Sequence, residues 1–174
     1  IQYNALDDIW VALSNGGYSP LVFTHWDGAD WDKTQIIYED GQGDFRIDLD
    51  WDFADAQHGW ATVVVHVSYY SPVYTNTLLL RYSDGAWAQV EKPQPPLPEN
   101  YLEYGYESAN DQCGEISVIN NDELWTICAR CYCKNVAVYQ YYLLQLVGDN
   151  AYFWESDPSG SNTPLADIDI KIID

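Results

Sequence analysis

Six of the eight tryptophans recur in two series, and this recurrence restricts the fold more than any other feature of the 174-residue chain. Trp10, Trp60 and Trp125 each follow a polar turn and open an apolar run, in DDIWVAL, QHGWATV and DELWTIC. Trp31, Trp87 and Trp154 come later, in WDGADW, SDGAW and the looser GDNAYFW. One binding or catalytic site does not call for the same aromatic at regular places along a chain, whereas duplication of a structural unit does.

Between the tryptophans, period-2 patterns dominate. Phe45, Ile47, Leu49 and Trp51 fall on one face of an extended segment, and Arg46, Asp48, Asp50 and Asp52 on the other. Ile168, Ile170 and Ile172 alternate with Asp167, Asp169 and Lys171 in the same way. Such alternation reads as strand, and no amphipathic helical pattern is present. The predicted strands lie at 1–6, 9–14, 20–26 and 31–39, then 45–51, 60–68, 76–82 and 86–91, then 115–119, 124–133, 137–146 and 151–155. They group into units of about 1–44, 45–92 and 113–166, with an extra strand over 167–174 and a Pro/Tyr-rich insertion at 93–112.

A four-stranded unit of this size cannot bury both its faces alone, so neighbouring units must stack, and the expected architecture is an all-β, β-propeller-like domain. YSDGAW at 82–87 and WDGADW at 26–31 resemble the Asp-box, or BNR, repeat of sialidase-like propellers, which carry Ser-x-Asp-x-Gly-x-x-Trp between their two outer strands. The resemblance implies that Asp27-Gly28 and Asp84-Gly85 form that turn and that Trp31 and Trp87 pack between units. The third unit is read as having lost the glycine. Propellers close with about four to eight units. Three units and a strand therefore imply part of a larger ring, completed by remaining blades or by other protein chains. A start at Ile1 with no methionine anywhere fits a chain from which a leader or longer N-terminal part is missing.

The same resemblance raises the question of catalysis. Sialidase-like enzymes hold a sugar carboxylate with three arginines, and Arg46, Arg81 and Arg130 are the three here. Arg46 sits in FRID, where Asp48 replaces the proline of the enzymes' motif, and no Tyr/Glu nucleophile pair or acid-base aspartate stands out. No catalytic residue is assigned. The expected role is a non-catalytic binding or structural module of a surface assembly. The alternative is a fragment of a sialidase-like glycoside hydrolase or of a glycan-binding lectin.

Cys113, Cys128, Cys131 and Cys133 crowd into one short stretch. An even number of cysteines points to disulfides in an exported protein, which places the chain outside the cell, on its surface or in the periplasm. Zinc is the rival reading for Cys-x2-Cys-x-Cys with a fourth thiolate. If Asn120-Asn121 is a hairpin turn, the register sets Cys113 opposite Cys128. Three connectivities stay open.

Charge removes other classes. With 27 acidic against 7 basic residues the chain repels polyanions, so nucleic acid is not an expected partner. No apolar run reaches the roughly 20 residues of a membrane-spanning helix. Asp48, Asp50 and Asp52 mimic the opening of a calcium loop, the one cofactor to consider, but the glycine and distal glutamate of such a loop are missing. The spacing is also what the polar face of a strand produces. Tyr101, Tyr104 and Tyr106, in the insertion, are candidate contacts for a protein or glycan. In WDGADWD only Trp26, Asp30 and Asp32 are left over for function once the turn and Trp31 are assigned.

Overall fold

The computed structural model describes residues 2–5, 7–13, 20–32, 34–38, 45–67, 74–95, 108–133 and 138–155. These fold into three four-stranded antiparallel sheets, each with its strands in sequential order, and no helix occurs among the described residues. Sheet I contains β1 (Gln2–Ala5), β2 (Asp8–Leu13), β3 (Leu21–Trp26) and β4 (Gln35–Tyr38). Sheet II contains β5 (Phe45–Asp55), β6 (His58–Val67), β7 (Tyr74–Ser83) and β8 (Ala86–Val90). Sheet III contains β9 (Ser108–Asn120), β10 (Glu123–Cys133), β11 (Val138–Val147) and β12 (Asn150–Glu155). The three predicted units are these three sheets. The first strand of sheet III begins well before the expected 115–119, inside the stretch read as insertion. The predicted strand over 167–174 and Tyr101, Tyr104 and Tyr106 lie outside the described residues.

The sheets stack face to face with sheet II in the middle. Val63, Val64 and Val65 on β6 and Leu78, Leu79 and Leu80 on β7 are all buried, which explains why these strands are unbroken apolar runs rather than alternating ones. One face, with Trp51, Val63, Leu80 and Trp87, packs against Trp10, Leu21 and Phe23 of sheet I. The opposite face, with Trp60 and Leu79, packs against Cys113, Ile116, Leu124 and Leu144 of sheet III. Tight aromatic packing fixes the first core. Trp87 meets Trp10 edge-on at 5.9 Å and Phe23 at 4.9 Å between ring centres. The Phe53 ring lies over Gly59 across the β5–β6 ladder, where an added Cβ would come within 2.6 Å of it.

Strand register shows how the units repeat. Trp10 pairs with His25, Trp60 with Arg81, and Trp125 with Gln145, each tryptophan standing third in the second strand of its sheet. Trp10 and Trp60 are buried by the following sheet, while Trp125, on the equivalent face of sheet III, has no sheet over it among the described residues. The next ladder position points the other way. It holds Trp26↔Trp31 in sheet I, Tyr82↔Trp87 in sheet II and Leu146↔Ala151 in sheet III. Tyr82 and Trp87 are buried by sheet I, and Leu146 packs against sheet II.

Two expectations for the second tryptophan series need correction. Trp31 shares the ladder position of Trp87 but is 52% exposed, because its face of sheet I is uncovered among the described residues, and it leans on Trp26 at 5.8 Å. Trp154 is not the counterpart of Trp87 at all. It pairs with Leu143, three residues beyond the equivalent Ala151, and an odd offset turns a side chain to the opposite face. Trp154 is 49% exposed and stacks on Trp125.

The turns follow the expected chemistry with one shift. Asp84 (φ 53°) and Gly85 (φ 79°) are both left-handed between the paired Ser83 and Ala86, a two-residue turn that matches strand twist. The Asp27 carboxylate accepts hydrogen bonds from the N–H groups of Ala29 and Asp30, and Gly28 takes φ 95°. A Cβ on Gly28 would sit 2.7 Å from that of Asp7. The third unit keeps a turn glycine, Gly148 (φ 58°), one place earlier than in the second unit.

Cys113 and Cys128 form a disulfide across β9 and β10. This is the pairing that a hairpin register allows among the open connectivities, but the ladder reaches it by another route. The turn is Asn121-Asp122, since Asn120 pairs with Glu123, and two bulges then move the register to Leu124↔Val118 and finally to Cys128↔Cys113. Gly114 stands in the second bulge, where a residue is left out of the ladder.

Three variants check this account by urea unfolding. Trp87→Ala should lose about 3–5 kcal/mol, as expected for emptying a large aromatic site. Trp31→Ala should stay within about 0.5–1 kcal/mol of the parent. Replacing both Cys113 and Cys128 by alanine opens a loop spanning 15 residues and should cost about 3 kcal/mol.

Candidate functional site

Polar chemistry concentrates where sheet III meets sheet II. On β5, alternation puts Asp50 and Asp52 on the face toward β9. Asp50 Oδ2 accepts from the Ile116 N–H at 2.6 Å, and Asp52 Oδ2 from the Val118 N–H at 2.9 Å. Thr62 Oγ1 donates to the Gly114 carbonyl at 3.0 Å, and Thr77 Oγ1 donates to the Asp111 carbonyl at 2.7 Å while accepting from the Cys113 N–H. Side chains of one sheet thus hold the outer backbone edge of the next. Burial pushes the Asp50 carboxyl above the usual carboxylate range, against the pull of the Ile116 N–H.

The calcium reading of Asp48, Asp50 and Asp52 is replaced by this arrangement. Asp50 and Asp52 point at N–H donors, Asp48 is exposed, and no group of three or more His, Cys, Asp or Glu side chains suited to a metal occurs among the described residues. Cys131 and Cys133 stand on β10 opposite Tyr139 and Ser108. Their side chains lie outside the described residues.

Deeper in the same interface is a buried ionic cluster that the sequence did not announce. Asp111 accepts from Arg130 Nε at 2.8 Å and Nη2 at 3.2 Å, from Lys92 Nζ at 3.0 Å and from the Tyr142 hydroxyl at 3.1 Å. Arg130 Nη1 donates to the Pro95 carbonyl, and both cations lie over the Tyr142 ring. Burial alone would push the Asp111 carboxyl up, but Arg130 and Lys92 together hold it below the usual range. Burial lowers Lys92. The cluster fixes the chain leaving β8 onto sheet III. Only the scarcity of bases, seven in the chain, could have drawn attention to Lys92 and Arg130.

Arg81 does related work at the surface. It lies over the Trp60 ring at 5.3 Å and donates to the Asn121 carbonyl and to Asp122 Oδ1, clasping the β9–β10 turn. Arg81 and Arg130 are therefore committed to different acids, and the Arg46 side chain lies outside the described residues. The described guanidinium groups do not form the triad of a sialidase-like site.

In sheet I, His25 stacks on Trp10 at 4.4 Å and places Nε2 2.8 Å from Asp8 and Nδ1 3.0 Å from Asp32. Asp32, one of the three side chains left over in the sequence reading, thus orients a histidine. Trp26 packs on Trp31, and the Asp30 N–H closes the Asp27 turn.

The outer face of sheet III is aromatic. Trp125 and Trp154 stack at 5.2 Å with an interplanar angle of 17°, and Tyr152 continues the row at 6.5 Å. Glu123 Oε1 accepts from Trp125 Nε1 and from Gln145 Nε2. No family model, curated protein or solved structure matches the chain.

Linkage assigns opposite signs to the two buried carboxylates. Asp111, lowered in the folded state, adds stability above the usual carboxylate range that is lost as pH falls through its folded value; Asp50, raised, does the reverse as pH rises through its own. Asp111→Asn should cost about 3–5 kcal/mol at neutral pH, because it leaves two buried cations uncompensated, and the deficit should shrink in acid. Asp50→Asn should match or exceed the parent at neutral pH, since an amide oxygen still accepts the Ile116 N–H without a charge. Urea midpoints across the acid limb check both.

Proposed function

We propose that the chain is a non-catalytic binding or structural module whose three sheets are blades of a β-propeller, working outside the cell as part of a larger protein or surface assembly. One observation carries the reading. The same two ladder positions recur in each sheet, one facing the preceding sheet and one the following, so each sheet is built to be stacked on both sides. Such a rule produces a ring when successive sheets rotate about an axis. Polar contacts between the first strands, β5 to β9, and between Gln35 of β4 and the Trp87 backbone of β8 are consistent with like strands meeting like strands.

The Cys113–Cys128 disulfide fits an oxidising compartment, and among the described residues no helix is long and apolar enough to cross a membrane. The engagement of Arg81 in an ion pair between sheets II and III, and of Arg130 in one between neighbouring strands of sheet III, supports binding over glycoside hydrolysis.

Two measurements test the reading. Fluorogenic sialosides and other aryl glycosides should be left intact by the purified chain, and turnover that Glu or Tyr substitutions abolish would replace the module with an enzyme. Electron microscopy or crystallography of the full natural protein should find the sheets arrayed about a common axis with β1, β5 and β9 innermost. A flat stack would end the propeller reading.

A further inference from the structure

The two ends of the stack are unlike the rest of this acidic surface. On sheet I the outward side chains of β2–β4 are Ile9, Val11, Leu13, Val22, Ile36 and Trp26, with Thr24 the polar exception and no charge among them. On sheet III, β10–β12 turn Trp125, Ile127, Leu143, Val147, Tyr152 and Trp154 outward, and two charged side chains lie with them: Glu123, engaged by Trp125 and Gln145, and the exposed Glu115 of the edge strand β9. In a chain of net charge −20, two faces so depleted of charge are interface surfaces rather than solvent surfaces. Their strands say the same. A strand with one wet face alternates, yet Tyr141–Leu144 and Ile9–Leu13 read like the doubly buried strands of sheet II.

From this complementarity we infer that the Trp125 face of sheet III docks on the Trp26 face of sheet I in a second copy of the chain. Inside the molecule, every junction joins these same two kinds of face. The Trp10 face of sheet I receives the Trp87 face of sheet II, and the Trp60 face of sheet II receives the Leu146 face of sheet III. Among the described residues, one donor face and one acceptor face are thus left over from an interaction made twice inside the molecule. The inference rests on the propeller reading for its stoichiometry: two copies bring together six of the described sheets, within the closing range of about four to eight, whereas three copies would bring nine. Two head-to-tail contacts then close a two-fold ring of the described sheets.

Light scattering coupled to size exclusion, with sedimentation equilibrium across a dilution series, tests this on the chain as it is. The expected mass is about twice 19.9 kDa, with association strengthened by salt because two chains of charge −20 repel. Ile36 and Trp154 are 57% and 49% exposed, so Ile36→Glu and Trp154→Glu should leave the far-ultraviolet circular dichroism unchanged. Each should weaken association at least about tenfold. Mixing the two variants should restore a heterodimer, since that pair retains one intact sheet III to sheet I contact.

A parent protein that stays monomeric at all concentrations overturns the proposal. Strong shielding of Trp154 from acrylamide in that monomer would assign the face to the chain's own remaining residues. A dimer broken by Trp154→Glu but untouched by Ile36→Glu would mean pairing of like faces, and also refutes it. The propeller reading fails separately: imaging of a dimer without axial sheets sinks that reading alone, and a monomer with axial sheets sinks only the dimer.

Discussion

A β-sheet has two faces, and each must meet water or another layer. Along β6 and β7 of sheet II neither face meets water, because valine and leucine occupy successive positions there rather than alternate ones. This double burial sets the order of the layers. Sheet I can only lie on the side carrying Trp51, Leu80 and Trp87, where the rings of Trp10 and Phe23 fit edge-on. Sheet III lies on the other, where Leu79 and Trp60 meet the disulfide and Leu124. The indole N–H groups of Trp10 and Trp87 find no acceptor among the described residues, so ring packing, together with the Gln35 side chain bonded to the Trp87 backbone, holds the first junction.

The second junction is held differently. Carboxylates and hydroxyls of sheet II bind the backbone of β9, and Asp111 gathers Arg130, Lys92 and Tyr142 beneath it. In a chain with almost four acids for each base, this is where several of the few bases are placed. A buried ion cluster of this kind adds little net stability over an apolar one, but it penalises any arrangement that leaves a member unpaired. Sheet III is thereby fixed in one position on sheet II.

Much of the architecture was legible because it rests on local signals. Alternation along β5, the apolar runs of β6 and β7, and the Asp84-Gly85 turn each express a single backbone preference. The register of Trp10, Trp60 and Trp125 followed from duplication. Trp154 misled because identity of residue type does not ensure identity of face, and the three-residue offset from Ala151 is visible only in the ladder. The burial of Trp87 and exposure of Trp31, at one ladder position, depend on which layer lies above, which no local pattern encodes. Asp50 and Asp52 were read as one polar strand face or as metal ligands. Their partners, the N–H groups of Ile116 and Val118, are 66 residues away and carry no sequence signature.

That contact between carboxylates and a strand edge also has a bearing on solubility. β9 ends the order of sheet III, so the N–H groups of Ile116 and Val118 face away from β10 and would ordinarily recruit a stray strand from another molecule. Asp50 and Asp52 occupy those donors with side chains that cannot propagate a ladder. The stretch is saturated by acceptors from its own chain, and fibrous growth by strand addition is blocked there without proline, lysine or a shortened strand.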